Sequence, residues 1–251
     1  MYLREGLLNE DEIISSLNNK TIESLSNNMK RVMRDLYGVL DNDSVVKCHK
    51  PDETTGKPDM IIDYENRKRF VTIKHGHAET VHSEKISTFI DFISSFGISK
   101  GTIETLLLFH YGDGTLDGTG ETRMNYREVM NSLGDRISLA NYELNKNKEF
   151  VLSVLDRCMF KGVLNEYQEA DSLYFGDKDY GLVATKNQIV KHVKIRSFDF
   201  YDNLHIGPLL IKPHSRYSKG YVIDQRSRER IVLYWPHLFA DINYISQRYN
   251  F

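Results

Sequence analysis

Lys57-Pro58-Asp59-Met60-Ile61-Ile62-Asp63-Tyr64-Glu65-Asn66-Arg67-Lys68-Arg69-Phe70-Val71-Thr72-Ile73-Lys74 is the stretch whose reading decides the fold. Two short apolar runs, Met60 to Tyr64 and Phe70 to Ile73, flank the charged connector Glu65 to Lys68, which is the pattern of a β-hairpin. A tip centred between Asn66 and Arg67 predicts Asp59 opposite Lys74 and Ile61 opposite Thr72, with roughly 4.5 to 5.5 Å between opposed Cβ atoms. Side chains alternate along a strand. Asp59, Thr72 and Lys74 therefore share one face, while Met60, Ile62, Val71 and Ile73 share the other, which can be buried. A carboxylate and a lysine on one strand face suit metal-dependent cleavage of a phosphodiester. The acid holds a hard cation through oxygen, and the lysine orients or deprotonates a water or steadies developing charge.

Pro58-Asp59 followed by Thr72-x-Lys74 resembles the PD-(D/E)xK nuclease superfamily of restriction enzymes, Holliday-junction resolvases and repair nucleases, over roughly residues 20 to 110. The Pro-Asp and the lysine match, but Thr72 stands where that superfamily usually has Asp or Glu, and a hydroxyl does not supply the missing charge. Some of its restriction enzymes carry Ser or Thr there and recruit a glutamate from the following helix. Glu84 is then the candidate second acid, with Glu79 as the alternative. The resemblance implies an α/β, restriction-endonuclease-like core whose central mixed β-sheet is flanked by helices. It further implies Mg²⁺, or Mn²⁺, held by Asp59 and Glu84, with Lys74 activating water and Thr72 offering a hydroxyl. Members often place an acid of the first helix near the metal, which points to Glu23. By the same analogy the substrate is DNA rather than RNA, with the duplex form favoured, the role is restriction or defence, and a homodimer would cut both strands. A catalytically silent nucleic-acid-binding or specificity subunit is the rival expectation. The plainest alternative is a surface hairpin whose ion pair is worth at most about 1 kcal/mol.

The chain has 251 residues, 40% hydrophobic and 27% charged, with a formal net charge of −2. No window approaches eighteen apolar residues and the first residues lack the regions of a signal peptide, so no membrane partner and a cytoplasmic location are expected. Two cysteines, Cys48 and Cys158, with no CxxC spacing, argue against a disulfide framework or a structural zinc site. The charge is unevenly spread. Between Lys186 and Arg230 ten basic residues face four acids, and local positive potential is what neutralises phosphate. Lys212, Arg216, Lys219, Arg226 and Arg228, with His82, are the candidate nucleic-acid contacts.

Along the chain, apolar residues at three- and four-residue steps predict helix over residues 10 to 40, and Ser44 to Cys48 reads as a strand. A helix carrying Ile86, Phe89, Ile90, Ile93 and Phe96 ends at Gly97, with Ser83 as its cap if Glu84 is to lie in its first turn. Thr105 to Tyr111 reads as a buried strand beside the hairpin, Gly112 to Gly120 as a mobile loop, and Tyr126 to Leu133 and Asn141 to Cys158 as helices. This divides the chain into a nuclease-like α/β core, residues 1–160, and a β-rich part, residues 161–251, packed on it for substrate binding or specificity. The β-rich part is read from strand-like pieces at Gly181 to Ala184, Ile189 to Ile195, His205 to Lys212, Gly220 to Asp224 and Arg230 to Trp235, before a last helix near Pro236 to Ser246.

Overall fold

The computed structural model describes residues 2–52, 57–75, 80–121, 124–163, 168–198, 200, 203–212 and 228–249. The fold is mixed α/β, with a six-stranded mixed sheet, a separate four-stranded sheet, and flanking helices. The chain forms two compact units: Met1–Ala78, Asp156–Ile195 and His237–Phe251 make the first, and Glu79–Leu155 with Arg196–Pro236 the second.

The first unit holds the six-stranded sheet, in the order β1 (Lys20–Thr21), β2 (Val45–His49), β3 (Met60–Tyr64), β4 (Arg67–Lys74), β6 (Ser172–Gly176), β7 (Gly181–Thr185). All neighbours are antiparallel except β4 and β6, which run parallel from Val71↔Ser172 to Lys74↔Phe175. The predicted hairpin is β3–β4, but its register differs by two residues: Met60 pairs with Val71, Ile61 with Phe70 and Tyr64 with Arg67. The cause is the turn. Glu65 and Asn66 both have positive φ, 49° and 61°, so the chain reverses in two residues and the tip lies one position earlier than the charge pattern suggested. A slip of two leaves each side chain on its face.

Met60, Ile62, Tyr64, Val71 and Ile73 join Ile13 and Leu17 of α1 (Tyr2–Leu17) and Met29, Val32, Met33 and Leu36 of α2 (Asn27–Tyr37) in one buried core. Burying each such side chain contributes about 1.5 to 3 kcal/mol. Helix α2 starts where Ser26 accepts a hydrogen bond from the Met29 N–H, and its last carbonyls, Leu36 and Tyr37, take guanidinium bonds from Arg69 and Arg67. Residues 10–40 are thus two helices, split by β1 and a 3-10 turn over Ile22–Ser24.

Ile189 to Ile195, read as a strand, lies in a helix, α8 (Lys186–Ile195). Thr185 accepts from the Gln188 N–H while Gln188 Oε1 accepts from the Thr185 N–H, a capping box that starts the helix and puts Ile189, His192 and Val193 on its buried side. His192 then meets Asp241 of the last helix, α9 (Leu238–Tyr249), at 3.2 Å with both side chains almost fully buried.

The second unit holds the sheet β5 (Thr80–Lys85), β10 (Arg230–Tyr234), β9 (Leu209–Lys212) and β8 (His205–Ile206), in that order. With it go α3 (Ile86–Ser94), α4 (Lys100–Tyr111), α5 (Tyr126–Leu133), α6 (Asp135–Lys146) and α7 (Lys148–Asp156). Thr105 to Tyr111 is therefore helical, not a strand: Ser99 caps the Thr102 N–H and Gly112, left-handed at φ 61°, closes the other end. The strand that flanks the hairpin is β6 instead. Gly112 to Gly120 is a loop, as expected, and it is tied together by hydrogen bonds. The Asp113 carboxylate, fully enclosed, accepts from Thr115 N, Thr115 Oγ1, Gly120 N and Arg228 Nη2 at 2.7 to 3.1 Å. Tyr126 to Leu133 is helical as expected, with an Asn125–Glu128 capping box. The long helix expected to end at Cys158 is broken into α6, α7 and a π-helical turn over Arg157–Lys161. The strand expected over Gly220 to Asp224 lies outside the described residues.

Candidate functional site

Asp59 precedes β3 and is tied to β4 by its backbone: its N–H donates to the Val71 carbonyl at 2.9 Å. Its side chain turns to the same face as Thr72. One carboxylate oxygen, Oδ2, accepts from Thr72 Oγ1 at 2.8 Å, from the Ile73 N–H at 2.7 Å and from Lys57 Nζ at 3.2 Å. Lys57 Nζ also donates to Thr72 Oγ1 at 2.5 Å. An ammonium has only donors, so the Thr72 hydroxyl must accept from Lys57 and donate onward to Asp59. Lys57 reaches this face from the short segment just before β3.

Lys74, at the end of β4, is partly buried on that face. Loss of water and then the positive charge of Lys57 push its ammonium down to about 7, against the opposing pull of Asp59. Burial alone would raise Asp59. The charges of Lys57 and Lys74, with the bonds from Ile73 and Thr72, outweigh it and hold the carboxyl below the usual range.

A second carboxylate feels the charges of this group, and the sequence did not reveal it. Glu10 of α1 is raised by burial and then by the charge of Asp59, while Lys50 and Lys57 pull it down. Lys50 Nζ lies 3.8 Å from Glu10 and 2.8 Å from Asp11. The signal was present in the helix phase: Glu10 precedes the buried Ile13 and Leu17 by three and seven residues, so it shares their side of α1. Glu23, expected in this role, is exposed in the Ile22–Ser24 turn.

Glu84 does not open a helix. It lies in β5, paired with Ile231 of β10, and α3 starts only at Ile86, with Lys85 at the cap position. The extended backbone of β5 puts His82 and Glu84 on one face, where His82 Nε2 meets Glu84 Oε1 at 3.0 Å and both are enclosed. Both residues belong to the second unit, whereas Asp59, Thr72 and Lys74 belong to the first. Of the candidate nucleic-acid contacts, Lys212 is exposed with Nζ 4.5 Å from the Tyr234 ring centroid, and Arg228 is paired to Asp113 at 2.9 Å. Arg216, Lys219 and Arg226, like Glu79, lie outside the described residues.

No family model and no curated protein matches this chain. Among the described residues, no group of three or more His, Cys, Asp or Glu side chains is placed to hold a metal ion. A hard divalent cation that keeps most of its waters needs only one or two carboxylates; Asp59 is one such carboxylate, and Glu10 is near enough to feel its charge. A cleft of about 300 Å³ in the first unit is lined by Asn9, Glu12, His75, Asp177 and Lys178, among others, so it touches the neighbours in sequence of both Glu10 and Lys74. No helix among the described residues is long and apolar enough to cross a membrane.

Proposed function

We propose that this protein is a metal-dependent phosphodiesterase acting on nucleic acid, with Asp59, Glu10 and Lys74 as its working groups. The observation that carries this reading is that Asp59, Thr72 and Lys74 lie on one face of the β3–β4 hairpin, with Asp59 held by β4 itself. Asp59 and Glu10 would hold the cation, Mg²⁺ or Mn²⁺, and when bound it supplies polarisation of a phosphate oxygen and of the attacking water. Lys74 can give up its proton near neutral pH, and its free amine then takes the proton of the water that attacks phosphorus. Thr72 fixes the Asp59 carboxylate so that its second oxygen, Oδ1, is aimed by the bonds made to the first. DNA as the substrate, a duplex form, restriction or defence as the role, and action as a homodimer come from the resemblance to the PD-(D/E)xK nucleases. Cleavage of plasmid DNA in Mg²⁺ or Mn²⁺, abolished in Asp59→Asn and Lys74→Met, supports the proposal. Absence of cleavage of any DNA or RNA form by the intact protein refutes it.

A specific observation favours a second reading, a nuclease fold without catalysis. Asp59 and Glu10 carry two negative charges, and Lys57 with Lys74 can carry two positive ones, so the site approaches neutrality with no added cation. Under that reading the protein retains on duplex DNA with a steep salt dependence, binds no divalent metal and cuts nothing.

A further inference from the structure

We infer that Lys57 is a resident cation that occupies the divalent-metal position at Asp59, so that metal binds only when the Lys57 ammonium is displaced. The inference rests on the reading of Asp59 and Glu10 as metal-holding groups and adds what controls their loading. Four observations converge on Lys57. Its Nζ touches the carboxylate oxygen of Asp59 at 3.2 Å and the hydroxyl that replaces the expected second acid, Thr72, at 2.5 Å. Its charge acts on Glu10 as well as on Asp59. Only 12% of its side chain is exposed, against 18% for Asp59, so the pair is largely withdrawn from water. It stands two residues before Asp59, in the short segment that leads into β3, so the same stretch of chain delivers both the acid and its cation.

An ammonium and a hydrated divalent ion make the same demand on a carboxylate oxygen, and two cations do not share one small site at low dielectric. Thr72 sharpens the competition. An acid at that position would leave negative charge to spare after pairing with Lys57, whereas the threonine hydroxyl contributes none. The neutral site is therefore closed by its own lysine, and a metal must supply enough binding energy to break two charge-assisted hydrogen bonds.

The test measures Mn²⁺ binding to the intact protein by electron paramagnetic resonance of free Mn²⁺, without substrate. Lys57→Gln and Lys57→Ala should each bind Mn²⁺ about tenfold more tightly than the wild type, since a bond to a charged group no longer has to be surrendered. Asp59→Asn should bind none. In the wild type, saturating Mn²⁺ should raise the acetylation of Lys57 by acetic anhydride several-fold, read by mass spectrometry, which tests the idea even if both variants fail to fold. Equal or weaker Mn²⁺ binding in folded Lys57 variants, or unchanged labelling of Lys57 in Mn²⁺-saturated wild type, overturns the inference while leaving the metal reading in place. Mn²⁺ binding by none of these proteins overturns the metal reading itself, and the inference falls with it.

Discussion

The hydroxyl of Thr72 donates to the carboxylate of Asp59 at 2.8 Å, joining two strands through side chains at the point where the proposed chemistry occurs. Thr72 is fully buried, so its hydroxyl has no access to solvent if the bond is lost. Thr72→Val should lower stability by about 1 to 3 kcal/mol, the cost of leaving buried polar partners unsatisfied, and Thr72→Ser should lower it by less. Chemical denaturation of the three proteins checks the order, and a Val variant as stable as the wild type would show that the hydroxyl carries no structural load.

Lys74 gives a pH dependence of definite sign. Its folded-state pKa, about 7, lies below that of an exposed lysine, so between pH 7 and roughly 10.4 the unfolded chain binds a proton that the folded chain does not. Stability from this group therefore rises with pH across that window. Lys74→Met should flatten the rise and stabilise the protein near pH 7, where the buried ammonium is least favoured. If Lys74 is the base, the cleavage rate of the wild type climbs through the same pH 7 region and levels above it. Thermal melts and rates over pH 6 to 9 measure both effects.

Asp59 titrates at the acid end, and its contribution to stability also rises with pH. Its folded-state pKa is lowered, so the stability it contributes is present above the ordinary carboxylate range and is lost as pH falls through the lowered value. Asp59→Asn should remove that part of the acid sensitivity, which denaturation at pH 3 and pH 6 would reveal.

Glu10→Gln should weaken Mn²⁺ binding by about tenfold, as expected when one of two carboxylates is lost. It should leave the fold intact, because Glu10 is only partly buried and its nearest cation, Lys50, keeps Asp11 at 2.8 Å. Calorimetric titration with Mn²⁺ is the check. Unchanged affinity would remove Glu10 from the site.

At the far end of the hairpin, Asn66 has a φ of 61°, a conformation glycine adopts without cost. Asn66→Gly should stabilise the protein by a few tenths of a kcal/mol up to about 1 kcal/mol and leave activity untouched, since two-residue turns of this hand favour glycine there. A drop in stability would argue for a turn of another type.

The hairpin, the separation of its faces and the helix Tyr126–Leu133 were legible because each is written in short-range terms: alternation, turn residues and a capping box. Where a run of apolar residues had no period of its own, as in Leu106-Leu107-Leu108-Phe109, strand and helix look alike and the caps Ser99 and Gly112 decide. β5 was missed because its buried positions include Glu84, whose burial depends on His82 rather than on hydrophobicity. β6 could not be assigned as the hairpin's neighbour, since parallel pairing leaves no local mark. Within the site, Asp59, Thr72 and Lys74 were readable from the motif. Lys57 was in plain view two residues earlier but carried no signal beyond an ordinary charge, and Glu10 needed the phase of a helix whose start was uncertain.

The parallel bond between β4 and β6 joins Val71 to Ser172, about a hundred residues apart, and such long closures slow folding. A ribosome therefore releases Asp59 and Lys74 well before β6 exists, and β5 with helices α3 to α7 of the second unit is synthesised before that strand, whereas β8, β9 and β10 follow it. Nascent chains paused before residue 172 should carry Lys74 on the open edge strand β4, exposed to chaperones and to premature pairing with other strands.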